Sequence, residues 1–367
     1  MQPKSLIQRL AQMRGALHAL AEPPGQEKRT ANYVADLLRS CDPTHLLEGV
    51  GGHGLVAEFA GTEPGPRVGL RAELDGLAEA QGARHGCGHD GHMALLCGAA
   101  LSLAENQPKR GSVALIFQPA EETGQGAAAM LADPRWPKVQ PDLIFALHNL
   151  PGLPLGQVVL RPGIMNLAST GMKARFAGAA SHAAQPEKGR SPARALARLL
   201  ADLPGLAGEG ELLTLTHACL GEKGFGTAPG SALLQATLRA PSDEALVALR
   251  VKAEKLIRQA ASAHNINFSI QWPEPFAAAK NDPHAVGIVR QAAVEMELGL
   301  HEPVKPFRWS EDFGCFTQKV QGALFCLGAG ERNPVLHAQA YEFPDELLET
   351  GLRLWLAILR HASIGSR

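Results

Sequence analysis

His85-Gly86-Cys87-Gly88-His89-Asp90-Gly91-His92 places one thiol, three imidazoles and a carboxylate within eight consecutive residues. The intervening glycines let the backbone bend so that Cys87 and His89 turn towards one point. Thiolate with imidazole suits zinc and its neighbours rather than magnesium or calcium. Asp90 fits the carboxylate that accepts a ring N–H and so fixes the tautomer of a ligand histidine. His92, three residues after His89, shares a helical face with it. Helix packing explains it as well as function does, so it is left out of the ligand set.

Working outward, Phe117-Gln118-Pro119-Ala120-Glu121-Glu122 is an apolar strand ending in two adjacent carboxylates. Two carboxylates fixed at a strand end divide the labour of metal-assisted hydrolysis: one binds metal, the other stays free as general base. The run Leu143-Ile144-Phe145-Ala146-Leu147 ends in His148. Short apolar runs at 112–118 and 142–148 predict central strands of a sheet covered on both faces. Both end in ligand-type residues, and open α/β sheets place their sites at strand carboxyl ends. The near-continuous small and apolar residues of 91–104 predict a buried helix starting at the metal motif. Residues 6–40 read as helix broken at Pro23-Pro24-Gly25, and 54–59 and 68–72 as strands separated by a turn at 61–66.

A chain of 367 residues is long enough for two domains. Lys and Arg number 35 against 36 Asp and Glu, spread along the chain, which gives no footprint for nucleic acid. No run of about 18 uncharged apolar residues is present, so no membrane span is expected. The N-terminus lacks the apolar core of a signal peptide, and the six cysteines are scattered. These features predict a cytoplasmic protein without a disulfide framework. From about Thr170 to Ala277 the pattern reads β-α-β-β-α-β, with helices at 191–203 and 242–264. The expected fold is therefore α/β. A catalytic domain with a mixed, helix-covered sheet (1–169 and 278–367) receives an inserted ferredoxin-like α+β domain (170–277).

The order of Arg71-Ala72-Glu73-Leu74-Asp75-Gly76-Leu77, the Cys-Gly-His-Asp-Gly-His run, Ile116 to Glu122 and Leu147-His148 resembles the dinuclear metallo-amidohydrolases. That group includes bacterial aminoacylases, hippurate hydrolase and plant hydrolases of indole-3-acetyl-amino-acid conjugates. Further matches are Ala179-Ala180-Ser181-His182-Ala183-Ala184-Gln185-Pro186, Ser310-Glu311-Asp312-Phe313, Val335-Leu336-His337 and the opening from Arg14 to Glu27. The resemblance covers essentially the whole chain.

By that likeness Cys87, His89, Glu122, His148 and His337 are the ligands of two divalent ions, zinc or manganese, with cobalt or nickel as further options. Glu121 takes the place of the general base, and Asp75 that of a carboxylate buttressing a ligand histidine. His182 matches a histidine of the small domain that stabilises the tetrahedral oxyanion, usually from a partner subunit. The implied substrate is a small N-acyl amino acid, and the inserted domain implies a homodimer. A dipeptidase or carboxypeptidase with the same metals is the nearest alternative; a non-catalytic binding protein would have no need of Glu121. Three stretches depart from the family. Glu73 stands where Asp is usual, Gly226 to Ala232 lacks the substrate-binding Asn, and the Gly-Thr-x-Arg strand end is reduced to Ala236-Thr237-Leu238-Arg239. Arg239 remains suited to a substrate carboxylate, because guanidinium matches carboxylate bidentately.

Overall fold

The computed structural model describes residues 3–362, and chain contacts divide it into two units. The larger is formed by the chain up to Met165, Ala279–Pro306 and the chain from Glu311 onward; the smaller by Asn166–Ala278 and Phe307–Ser310. The smaller unit thus begins at Asn166 rather than Thr170, and takes in a short segment that the sequence pattern assigned to the other domain.

The larger unit is built on an eight-stranded sheet. Its strands run in the order His45–Val50, Gly54–Ala60, Arg110–Gln118, Glu63–Glu73, Leu143–Leu150, Gln321–Gly328, Val158–Val159 and Leu300–His301. The four central strands, from Arg110–Gln118 to Gln321–Gly328, are mutually parallel, with antiparallel partners on either side. Parallel strands are buried on both faces, which is why 113–117 and 143–147 are continuously apolar and wholly buried. The helical stretch broken at Pro23-Pro24-Gly25 forms the two helices Pro3–Leu20 and Lys28–Ser40. The turn expected at 61–66 is already extended: the strand starts at Glu63, with a bulge between Glu63 and Arg67 that accommodates Pro64 and Pro66.

Helix His89–Glu105 is buried almost all round and packs against Pro3–Leu20 and Leu347–His361. Its lack of amphipathic character follows from that central position.

In the smaller unit, strands Ala168–Ala177, Leu212–Leu220, Ser231–Ala240 and Asn267–Gln271 pair antiparallel with the second at one edge, then the third, the first and the fourth. Helices Ala193–Asp202 and Asp243–Ser262 lie between the first and second and between the third and fourth strands in sequence. This is the β-α-β-β-α-β order of a ferredoxin-like domain. Ser242 caps the longer helix by accepting from Ala245 N–H at 3.2 Å.

Candidate metal centre

Four chain segments converge at the carboxyl ends of the central parallel strands. Glu63–Glu73 leads into Asp75, and Arg110–Gln118 leads into Glu121 and Glu122. His148 ends the buried part of Leu143–Leu150, and the loop 85–88 delivers Cys87 to the start of helix His89–Glu105. Gly88 has φ +85°, and a Cβ there would overlap Asn149, so only glycine lets the loop enter the helix at this point.

Cys87, His89 and Glu122 bring ligand atoms within 4.8 Å of one another. His89 Nδ1 lies 2.9 Å from the Asp75 carbonyl oxygen, which can only accept, so the ring proton sits there and Nε2 carries the lone pair. That Nε2 is buried without a hydrogen-bond partner, 3.9 Å from both Glu121 and Glu122. Glu122 Oε1 and Asp75 Oδ1 are likewise buried and unpartnered. His148 Nδ1 donates to the Asn149 carbonyl at 2.8 Å, which again puts the lone pair on Nε2. Burial lowers the His89 pKa to about 3 and, with His92 nearby, that of His148 to about 4, so both rings are neutral at pH 7.

The acidic groups are shifted the other way. Burial pushes Glu122 up to about 7, and drives Cys87 and Glu121 well above their ordinary ranges, with Glu122 adding to the first and Glu311 to the second. Orphaned lone pairs on a neutral imidazole and a carboxylate, beside a thiol, are a donor set that fits a divalent cation of the zinc type.

The turn that presents Glu121 and Glu122 is tightly built. Ala120 has φ +49°, and its N–H donates to the buried Glu27 at 2.8 Å. Glu122 N–H donates to Asp75 Oδ2 at 3.0 Å. Asp75 therefore supports the site in two ways, but its carboxylate is not what holds His89. The main-chain carbonyl does that, and Oδ1 stands off at 3.9 Å.

Asp90 does not support a ligand histidine as the sequence suggests. It accepts from His18 at 2.8 Å and Arg14 at 3.1 Å, not from a predicted ligand histidine, because its place in the first helical turn points it at helix Pro3–Leu20. His92 uses both ring nitrogens, bonding Glu73 at 2.7 Å and accepting from Asn149 N–H at 3.1 Å. His85 is buried with neither ring nitrogen hydrogen-bonded among the described residues.

His337 is held near the motif through its backbone: its N–H donates to the Gly86 carbonyl at 3.0 Å. Its side chain is exposed and stands outside the converging triad. His182 and Arg239 belong to the smaller unit. His182 Nδ1 accepts from Ala184 N–H at 3.0 Å, which leaves the ring proton on Nε2. Arg239 donates to the Arg308 carbonyl and the Ser310 hydroxyl, both at 2.9 Å; burial lowers its pKa.

Sequence reasoning gave no role to the network under the site. Arg71 is fully buried and bonds Glu311 through both terminal nitrogens at 2.8 and 3.0 Å. It also bonds Asp312 at 3.0 Å and pairs with Glu73. Glu121, Glu311 and Asp312 bring carboxylate oxygens within 4.8 Å of one another. The only signal in sequence was that Arg71 and Glu311-Asp312 fall in stretches resembling the amidohydrolases.

A family model described as Peptidase family M20/M25/M40 matches residues 69–361. The chain is 28% identical over 346 residues to the N-acetyl-L-cysteine deacetylase of Bacillus subtilis, covering 88% of this chain and 81% of that one. It is 31% identical over 340 residues to the IAA-amino acid hydrolase ILR1-like 4 of Arabidopsis thaliana, covering 85% and 75%. Its fold is similar to that of the Bacillus subtilis YxeP protein, a dinuclear metal binding peptidase from the M20 family. The TM-score is 0.80 and the identity 23%, over 98% of this chain and 99% of that one. With most of its length matched by the family model, this chain belongs to the M20/M25/M40 peptidase family.

Proposed function

We propose that the protein is a metal-dependent amidohydrolase that cleaves the amide bond of N-acyl amino acids, releasing a carboxylic acid and a free amino acid. The observation that carries the reading is Glu121, a buried carboxylate facing the unpartnered Nε2 of His89 at 3.9 Å beside a second carboxylate, Glu122. Cys87, His89, Glu122, His148 and His337 would hold two divalent ions, zinc or manganese. Such ions polarise an amide carbonyl and acidify water.

In this reading Glu121 takes the proton of the attacking water and delivers it to the departing nitrogen. His182, with its proton on Nε2, donates to the oxyanion of the tetrahedral species. Arg239 pairs with the substrate carboxylate; its two observed acceptors are a carbonyl and a hydroxyl, neither of which neutralises it. A homodimer through the smaller unit and a cytoplasmic location complete the proposal. Among the described residues no helix is long and apolar enough to cross a membrane.

The test is Glu121→Gln assayed on a panel of N-acetyl and N-benzoyl amino acids, with unblocked dipeptides alongside. Turnover of the acyl amino acids falls by about 10²- to 10⁴-fold with bound metal unchanged. Undiminished turnover refutes the role of Glu121, and a wild type that cleaves dipeptides alone refutes the substrate class.

A further inference from the structure

Arg84 sits two residues before the glycine whose carbonyl accepts from His337, and its guanidinium crosses to the same segment. Nη2 donates to the His337 carbonyl at 2.6 Å and Nη1 to the Ala338 carbonyl at 3.1 Å. The third donor, Nε, pairs with Glu79, which fixes the plane of the group. The peptide of His337 is thus gripped at both ends: its N–H by Gly86 and its carbonyl by Arg84.

The grip has something to hold. His337 has φ +68°, a left-handed conformation that is uncommon for residues other than glycine. The segment from Glu331 to Ala340 has no helix or strand of its own, and Val335 is 72% exposed. The local turn bond from Ala338 N–H to the Val335 carbonyl at 3.1 Å closes around it, and the bonds to Gly86 and Arg84 fix that turn against the Cys87 loop.

Gly86 completes the arrangement. Its φ lies outside the left-handed region, so its backbone does not require glycine. A Cβ at this position would overlap the Arg84 guanidinium and come within 2.8 Å of Leu77 Cδ1. The space a side chain would take at this position is occupied by the clamp, so a Cβ there would push the guanidinium aside.

We propose that Arg84 is a positioning residue that clamps the His337 segment against the Cys87 loop, and so sets the affinity of the divalent ion that His337 ligates. The inference rests on His337 being a ligand, as the proposed function has it. Arg84 itself touches neither metal nor substrate: all three of its nitrogens are already committed to Glu79, His337 and Ala338. Residues that orient a metal ligand typically contribute 10- to 100-fold in affinity or activity.

The experiment titrates metal-stripped full-length protein with Zn²⁺ and counts bound ions for wild type, Arg84→Met, Arg84→Lys, Gly86→Ala, Arg84→Met with Gly86→Ala, and His337→Ala. Thermal melts accompany each. The weaker-bound ion loses about tenfold or more in affinity in Arg84→Met, and Arg84→Lys recovers part of the loss. Gly86→Ala weakens the same ion by displacing the guanidinium, without touching charge or ligand. That loss disappears when Arg84 is already Met. If Arg84→Met fails to fold, the Gly86→Ala variant carries the test alone. Wild-type affinity in Arg84→Met or in Gly86→Ala overturns the clamp. A Gly86→Ala effect that persists undiminished beside Arg84→Met overturns it too. Unchanged binding in His337→Ala overturns the ligand assignment beneath it, whichever way the Arg84 variants behave.

Discussion

Glu27 Oε1 accepts the backbone N–H of Ala120 at 2.8 Å, across 93 positions of sequence. The same oxygen accepts from Gly25 N–H at 2.6 Å. One buried carboxylate therefore ties the loop between the first two helices to the left-handed residue that precedes Glu121 and Glu122. Removing that acceptor leaves the Ala120 N–H without its partner where the backbone is least free to relax.

Glu27→Ala should destabilise the protein by about 1–3 kcal/mol, the cost of leaving a buried donor unsatisfied. It should also weaken metal binding through Glu122, whereas Glu27→Gln, which keeps an acceptor, should lose less of both. Urea unfolding together with zinc titration measures the two effects. Wild-type stability and wild-type metal affinity in Glu27→Ala would show that the turn holds its own shape.

Arg71, its side chain fully buried, pairs with Glu73, Glu311 and Asp312 at once. Taking away one partner of a buried charge network typically costs 3–5 kcal/mol, because the remaining charges cannot be solvated. Arg71→Met should therefore unfold at much lower urea or fail to accumulate as folded protein. Arg71→Lys should not restore it, since one ammonium cannot bond Glu311 bidentately and reach Asp312 as well. Equal stability of the Lys variant would contradict the geometry.

His18 carries a pH prediction. Its hydrogen bond to Asp90 raises its pKa above the ordinary value, so the folded protein binds that proton more tightly than the unfolded chain. The resulting stability is complete below about pH 6.5 and is lost as the pH climbs through the raised native pKa. The difference in melting temperature between wild type and His18→Gln should accordingly be larger near pH 6 than near pH 9. A difference that is flat, or that grows with pH, would show that Asp90 does not hold His18 in its charged form.

What the sequence makes legible is local chemistry. The Cys87–His89 spacing and the Glu121-Glu122 pair can be read because each sits where a buried apolar run meets ligand-type residues, whereas His148 and His337 become candidates only through the resemblance to the amidohydrolases. The β-α-β-β-α-β order of the smaller unit can be read from turn and helix signals. Partnerships across the fold are not written that way. Asp90 looks like support for its neighbour His89, yet it faces helix Pro3–Leu20 and bonds His18. Arg84 looks like an ordinary surface cation until the loop at His337 returns to it, more than 250 residues later. The strand His45–Val50 escapes detection because, at the edge of the sheet, it buries only Val50 and lacks a continuous apolar run. Pro64 and Pro66 suggest a turn, but a bulged strand start tolerates them.

The proposed dinuclear centre, built on Cys87, His89, Glu122, His148 and His337, hydrolyses N-acyl amino acids. The most direct test measures metal content and hydrolysis of N-acyl amino acids on the same preparation, before chelation, after it, and after metal is restored. About two divalent ions per chain are expected, with hydrolysis that disappears on chelation and returns with zinc or manganese. A protein that binds no divalent ion, or whose hydrolysis is indifferent to chelation, would contradict it.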